Sequence, residues 1–498
     1  MEPAQIAIGA LLTLIASYAL VQRILSWIRV SRFKRQHGCK PAPRYPQMDP
    51  ILGLDVFKTF KKSAVEHKAL EAMTQRSLTM HRTMTVSLMG QSLIMTAEPE
   101  NVKAVLALNF DDFGIGKRMS ALGRLLGRGI FTADGSHWKH SRALIRPSFT
   151  RAQVADLDSV ETHVQNLIKR FPEEDGTTFD IQPLFFNFTI DNSTEFLLGR
   201  SINCQTDPAQ SPFTEAWDYA EACLPDRVRL GKLVFLWRNR KFDDACDLVH
   251  RHVDSYIAER TQGATDDKKT NRYNLLSELS EACSDPVLVR NELLNVLLAA
   301  RDTTAGMLSS VFYFLARHPD VWRELAAEVA QLDGRIPDHD ALKNMRFLRS
   351  VLDETLRLHP PVPVNIRFAT RDTTLPLGGG ADGRSPIFVA KGTAINYAVW
   401  AIHRLPEVYG ADAEVFRPAR WLDPARPLRP GWAYLPFNGG PRICLGQQSA
   451  LVEGGYVVVR LMQHFARIEA TGGEFREHLS LTLSHFDGVK IALWRKGE

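Results

Sequence analysis

A chain of 498 residues with 45% hydrophobic and 23% charged residues has the make-up of a globular protein with a large core, which excludes fibrous, collagenous and disordered classes. The length admits two or three ordinary domains or a single large catalytic one, so organisation must decide the count. The net charge of +5 is small, and much of the excess sits in Arg23, Arg29, Arg32, Lys34 and Arg35 behind an apolar stretch, a pattern that points to a membrane surface and away from nucleic acid.

From Ile6 to Ile28 the chain is apolar apart from Gln22, Arg23 and a few small polar residues. At ~1.5 Å per helical residue this run is long enough to span a bilayer once, with Arg23 snorkelling outward. Glu2 precedes the run and the Arg/Lys cluster follows it. A cleaved signal peptide has the opposite order, and the positive-inside rule leaves the bulk of the chain cytoplasmic. Pro41, Pro43 and Pro46 then form an extended hinge that cannot continue the helix.

Beyond the hinge, apolar residues recur near a 3.6 period over Ala152–Phe171, Thr214–Leu224, Phe242–Gln262, Val287–Ala316 and Asp320–Gln331, so helix dominates. Strand patterns are confined to stretches such as Met84–Met95 and Ser385–Val399. The sequons at Asn187 and Asn192 fall in the apolar, helix-like stretch Leu184–Leu198, where a glycan would be awkward. The polar run Thr261–Arg272 reads as a surface loop between helices, and no internal repeat is present. Gly378, Gly380 and Gly383 make a G-x-G-x-x-G, but no helix opens behind them as pyrophosphate binding requires; a β-turn between two strands fits better. With no other nucleotide-binding pattern, the chain has no electron source of its own. Six cysteines without a C-x-x-C pair fit neither a disulfide framework nor a zinc site, and imply a reducing compartment.

Near the C-terminus, Phe437-Asn438-Gly439-Gly440-Pro441-Arg442-Ile443-Cys444-Leu445-Gly446 is a loop of small residues ending in one cysteine, followed by the helical stretch Gln447–Phe465. Glycines let backbone approach a flat ligand. A thiolate at a helix start, favoured by the dipole and nearby N–H groups, can ligate iron. This F-x-x-G-x-R-x-C-x-G pattern resembles the haem-binding loop of cytochromes P-450, and the resemblance extends over nearly the whole chain.

The resemblance implies a mostly α fold, a helical prism with a small β-rich subdomain behind an N-terminal transmembrane helix. The boundaries implied are an anchor over 1–30, a basic and Pro-rich hinge over 31–50, and a catalytic domain over 51–498. It implies haem b with Cys444 as the axial thiolate ligand, and thiolate-ligated haem is suited to O–O cleavage. Ala299-Ala300-Arg301-Asp302-Thr303-Thr304 is similar to the family's oxygen-activation motif, which would make Asp302 and Thr303 the proton relay; Ala300 stands where the family often has glycine. Glu354-Thr355-Leu356-Arg357 resembles its E-x-x-R pair, joined by Arg420 in a buried structural network. Trp138, Arg142, Arg367 and Arg442 match the family's contacts to the haem propionates, and Phe437 opens the haem loop.

Phe113–Phe149, Gly378–Gly380 with Asp382-Gly383, and Phe437–Gln448 resemble fungal members that hydroxylate n-alkanes and fatty acids. Ser449 and the Gly454-Gly455 pair depart from that group's usual apolar helix. The resemblance implies terminal or near-terminal hydroxylation of a long apolar chain at the endoplasmic reticulum membrane. The implied partners are an NADPH–cytochrome P-450 reductase, which brings NADPH and flavin, and cytochrome b5. Rival readings are a P-450 acting on a terpenoid, polyketide or xenobiotic, and a haem-thiolate ligand binder without turnover. Peroxide isomerisation and pure ligand binding both fit poorly with Asp302 and Thr303, since neither needs a proton relay.

Overall fold

The computed structural model describes residues 3–150, 156–207, 211–262 and 273–497. Its organising element is the helix Pro286–Leu315, opened by Asp285, whose side chain accepts from the Val287 N–H, with Pro286 in the first turn. This central helix is buried on nearly every side from Leu293 to Leu315, as a helix apolar all round must be. The helices Gln182–Leu198, Arg346–Leu358 and Gln447–His464 pack around it. The Gly454-Gly455 pair, which departs from the usual apolar helix, has a packing reason. A Cβ at Gly454 would fall 2.3 Å from the Met307 methyl on the central helix, and one at Gly455 would fall 3.3 Å from Leu348.

Helix dominates, with a small β region, as expected. The pattern over Met84–Met95 is a hairpin, β1 (Thr83–Leu88) and β2 (Gln91–Thr96). Its turn is Met89-Gly90, both at positive φ, the two-residue geometry that suits strand twist. Further along lie β3 (Phe113–Gly114), β4 (Phe179–Asp180), β5 (Asn365–Ala369), β6 (Thr373–Gly379), β7 (Ser385–Val389) and β8 (Ala394–Tyr397). The five-stranded sheet has the order β1-β2-β8-β5-β3. The strand pattern over Ser385–Val399 is therefore two strands, β7 and β8, broken at Gly392 with φ of 86°. Gly378, Gly380 and Gly383 sit where β6 turns into antiparallel β7, as the sequence suggests. The remaining strands β9 (Phe465–Ala470), β10 (Glu477–Leu479), β11 (Leu483–His485) and β12 (Lys490–Arg495) form a β4-β12-β9 sheet and a β10-β11 hairpin.

Of the other expected helices, the first runs Asp158–Lys169, with residues 152–155 outside the described residues. The second is longer than its apolar pattern, Ser211–Leu230, and passes through Pro225. The others are Arg240–Thr261 and Pro319–Ala330; residues 263–272 of the expected polar loop and Glu2 also lie outside the described residues. Both sequon threonines, Thr189 and Thr194, are buried, in keeping with an unused sequon reading.

The N-terminal helix Pro3–Gln36 continues past the apolar run into the basic cluster. Its segment Leu11–Gln36 is long and apolar enough to cross a membrane, and the apolar window within it is not buried against the body. Its last turns do touch the body. Arg29 lies 3.8 Å from Asp372, and the Phe33 ring meets Phe388 of β7 edge-on at 5.6 Å, with Lys34 over the same ring. The Pro-rich segment is extended, and pairs with β1 through Tyr45 N–H to Thr85 O and Thr85 N–H to Pro43 O.

Candidate active site

The loop Phe437–Gly446 folds back on itself before the helix Gln447–His464. The Cys444 N–H donates to the Phe437 carbonyl at 3.0 Å, and the Ile443 N–H to the Gly440 carbonyl at 3.0 Å. Gly440 has φ of 67°, and a Cβ there would lie 1.8 Å from the Leu106 carbonyl oxygen, so only glycine lets the loop press against that turn. The Phe437 side chain is partly buried against the main core. The Cys444 thiol is accessible, yet protein mass around it raises its pKa by desolvation, opposed by the Gly446 N–H and by Arg142. Desolvation outweighs the single N–H and the nearby guanidinium, and a metal bound to sulfur would reverse the balance.

Arginines gather around this loop. Arg142 on the helix Gly135–Ile145 donates to the Ile443 carbonyl at 2.9 Å. Trp138, one turn earlier and buried, carries the Arg442 guanidinium 4.2 Å above its ring. Arg442 also donates to the Ala133 carbonyl and the Asp134 carboxylate. Buried Arg367 on β5 donates to Asn365 Oδ1 and the Ile366 carbonyl. To these the structure adds Arg118, which donates to the same Asn365 Oδ1 at 2.7 Å. Arg118 was illegible in the sequence, where it is one cation on a short amphipathic helix.

Burial, then the charge of Arg367, pulls the Arg118 pKa down to about 10. Burial also pulls Arg442 down to about 10, with Asp134 opposing and Arg367 and Arg142 adding. Two guanidinium groups, Arg118 and Arg442, thus share Asp134 as a carboxylate neighbour. Such a cluster calls for buried anionic charge, and a flat group bearing two carboxylates beside an accessible sulfur fits it.

On the central helix, Thr303 Oγ1 donates to the Ala299 carbonyl at 2.6 Å, the back-bond expected of a mid-helix threonine. Asp302 is buried, and its Oδ1 accepts from Arg301 Nη1 at 3.0 Å, while its Oδ2 accepts no hydrogen bond from a cationic or neutral donor. Among the described residues, no hydrogen bond or ion pair joins Asp302 or Thr303 to the cysteine loop.

The E-x-x-R network is present in full. Glu354 receives Arg357 in a two-pronged pair at 2.8 and 2.9 Å, Arg420 Nε at 2.8 Å, the Arg417 N–H at 2.9 Å and the Trp421 indole N–H at 2.9 Å.

The sequence pattern of one family, described as Cytochrome P450, matches residues 43–483. A cytochrome P450 monooxygenase himC of Aspergillus japonicus is 42% identical, covering 98% of this chain and 90% of its own length. Cytochrome P450 52A12 of Debaryomyces hansenii is 40% identical, covering 97% of each chain. The crystal structure of a cytochrome P450DA heme domain superposes with a TM-score of 0.79 at 20% identity, over 92% of this chain and 99% of that one; it speaks for the fold alone.

Proposed function

The chain belongs to the cytochrome P450 family and is a monooxygenase whose family and fold imply a haem-thiolate cofactor; from that premise we propose that it hydroxylates long-chain fatty acids or n-alkanes at or near the terminal carbon. The observation that carries the substrate is the stretch Phe113–Phe149 with the glycine turn and cysteine loop, which resembles the fungal alkane and fatty-acid group. The 52A relatives at 40–44% identity support it.

In this reading Cys444 binds the iron, and Arg118, Arg142, Arg367 and Arg442 with Trp138 hold the propionates. Phe437 fixes the loop under the ring by its backbone carbonyl and its core contact. When bound, haem supplies the activation of dioxygen, for which a thiolate ligand favours O–O cleavage. The chain's own part is to position and to move protons. Thr303 commits its hydroxyl proton to Ala299 and so offers lone pairs to a neighbouring donor. Asp302 is a buried carboxylate with one unengaged oxygen, suited to passing a proton. The two electrons come from NADPH through a separate flavoprotein reductase, with cytochrome b5 as a further donor. The helix within residues 1–30 anchors the protein in the endoplasmic reticulum membrane, and residues 51–498 are the cytoplasmic catalytic domain behind the 31–50 hinge. An apolar chain partitions from that membrane directly.

Two measurements test this. The carbon-monoxide difference spectrum of the reduced protein should show the long-wavelength Soret band of a thiolate-ligated haem, absent in Cys444→Ser. Purified protein with reductase and NADPH should oxidise laurate or hexadecane at the chain end; no oxygenated product from any chain length overturns the lipid reading. A second reading, action on a bulkier terpenoid, polyketide or xenobiotic, is favoured by the 42% identity to himC, which is not a 52A protein. Turnover confined to such compounds in the same panel would establish it.

A further inference from the structure

The central helix meets the helix Ser211–Leu230 at a buried arginine with three carboxyl neighbours. Arg301 Nη2 lies 2.6 Å from Asp218 Oδ1, and its Nη1 lies 3.0 Å from Asp302 Oδ1 and 3.5 Å from Glu221 Oε2. Its guanidinium also stacks 4.9 Å over the Phe186 ring. The Asp218 side chain is 52% exposed, that of Glu221 10% and that of Asp302 1%. The three acids therefore form a graded series from solvent to core.

One cation cannot balance three ionised carboxylates. Glu221 and Asp302 lie within hydrogen-bonding reach of each other, yet two ionised groups can only repel there. Among the described residues the buried Asp302 Oδ2 has no donor, and the Asp302 carboxyl gains one if Glu221 carries a proton. Burial first, then Asp302, raises the Glu221 pKa well above that of an ordinary carboxyl, against the pull of Arg301. The other groups facing the cluster do not alter this. Asp191 spends its carboxylate on the N–H groups of Cys204 and Gln205, the Cys204 thiol is pushed up by burial, and Glu215 adds negative charge beside Asp218.

We propose that Glu221 and Asp302 share one proton, and that this pair, refilled through half-exposed Asp218, is the route by which protons from bulk water enter the central helix. Glu221 gives its proton to the Asp302 carboxylate and becomes a carboxylate itself; a proton from water at Asp218 then restores it. One proton moves inward, and no electron or other group changes place. Arg301 remains charged throughout and limits the accumulated negative charge. The delivery half of this inference rests on Asp302 acting as the relay acid in the proposed reaction; the shared proton does not.

Infrared difference spectroscopy of the full-length protein at neutral pH reads the shared proton without turnover. One C=O band of a protonated carboxyl, retained in Glu292→Gln and in Glu453→Gln and so distinct from theirs, should be present, shift in deuterium oxide and disappear in Glu221→Gln. Its absence from the wild type, or its persistence in Glu221→Gln, overturns the proposal. With reductase and NADPH, Glu221→Gln should lower the share of electrons recovered in product by about tenfold, less than the ~10²–10⁴-fold of a lost general acid because Asp302 itself remains. Peroxide should rise in step, the solvent isotope effect should grow, and Glu221→Asp should restore most of the coupling. Unchanged coupling and isotope effect in Glu221→Gln, with both disturbed in Asp302→Asn, overturn the route alone. Unchanged values in Asp302→Asn overturn the relay reading itself, leaving the infrared result to decide the shared proton. A melting temperature equal to that of wild type ties any loss to the proton and not to folding.

Discussion

Two arginine–carboxylate clusters built from the same chemistry differ in how completely they are satisfied. Around Glu354, one carboxylate receives Arg357, Arg420, a backbone N–H and an indole N–H, and both oxygens are engaged more than once. Burial raises its pKa, but the Arg357 pair and Arg420 outweigh that and hold it below the usual carboxylate range. Around Arg301 the ratio is inverted, with one cation among three carboxyls, and among the described residues Asp302 Oδ2 has no donor and Arg301 Nε no acceptor. A saturated network has nowhere for a proton to go and acts as scaffold. An unsaturated one keeps a proton mobile, and accepts orphaned atoms as the condition.

Breaking the saturated side should have the largest effect. Glu354→Gln leaves two buried guanidinium groups short of a counter-charge and should destabilise by about 3–5 kcal/mol, seen as lost folded, haem-loaded protein in thermal inactivation. Arg357→Lys should not rescue it, because an ammonium cannot reproduce the two-pronged geometry.

Next comes Glu292 on the same central helix, a fully buried carboxyl with no arginine at all. Burial lifts its pKa to about 7, against Ser141 and the Ile130 N–H. Because the folded pKa lies above the unfolded one, the folded state binds more protons between them, and stability falls as pH rises from about 4.5 to 7. Glu292→Gln should remove up to about 3 kcal/mol of that slope; a variant whose stability keeps the wild-type pH dependence refutes this.

Arg301→Gln tests the unsaturated side. It should destabilise by about 2 kcal/mol at pH 8, less than Glu354→Gln because the orphaned carboxyls can take up protons. Most of the loss should return at pH 5, where they do. The smallest effect expected is that of Asp134→Asn, which frees Arg442 from a part-exposed partner and should change stability by less than about 1 kcal/mol. Haem retention in that variant should hold or improve if the arginines around the loop are matched to propionates.

The legible parts of this chain were those where chemistry is written contiguously. The cysteine loop, the central-helix motif and the Glu354/Arg357 pair can each be read from a few neighbouring residues, and Gly378–Gly383 could be refused as a nucleotide site because no helix follows. What escaped was juxtaposition. Arg118 meets Asn365, and Glu221 meets Asp302, across sequence gaps that no spacing rule spans, and neither is distinguishable from an ordinary helix-surface charge. The hairpin within Met84–Met95 was hidden because Met89 adopts positive φ, a conformation that composition does not announce. The extension of one helix to Leu230 was hidden by Pro225, which ordinarily marks an end.

The contact between the end of the N-terminal helix and the β6–β7 hairpin gives the joint between that helix and the body a stop. Arg29, Phe33 and Lys34 pin the last turns of the helix to Asp372 and Phe388, and the chain beyond them is stitched to β1. The helix then meets the body as a bracket meets a bolted plate and not as a string meets a weight, so the angle between the two is a built-in dimension of the fold. A shortened form cut before Arg29 keeps the bolts, whereas one cut after Gln36 loses them and leaves the Phe388 ring without its cover.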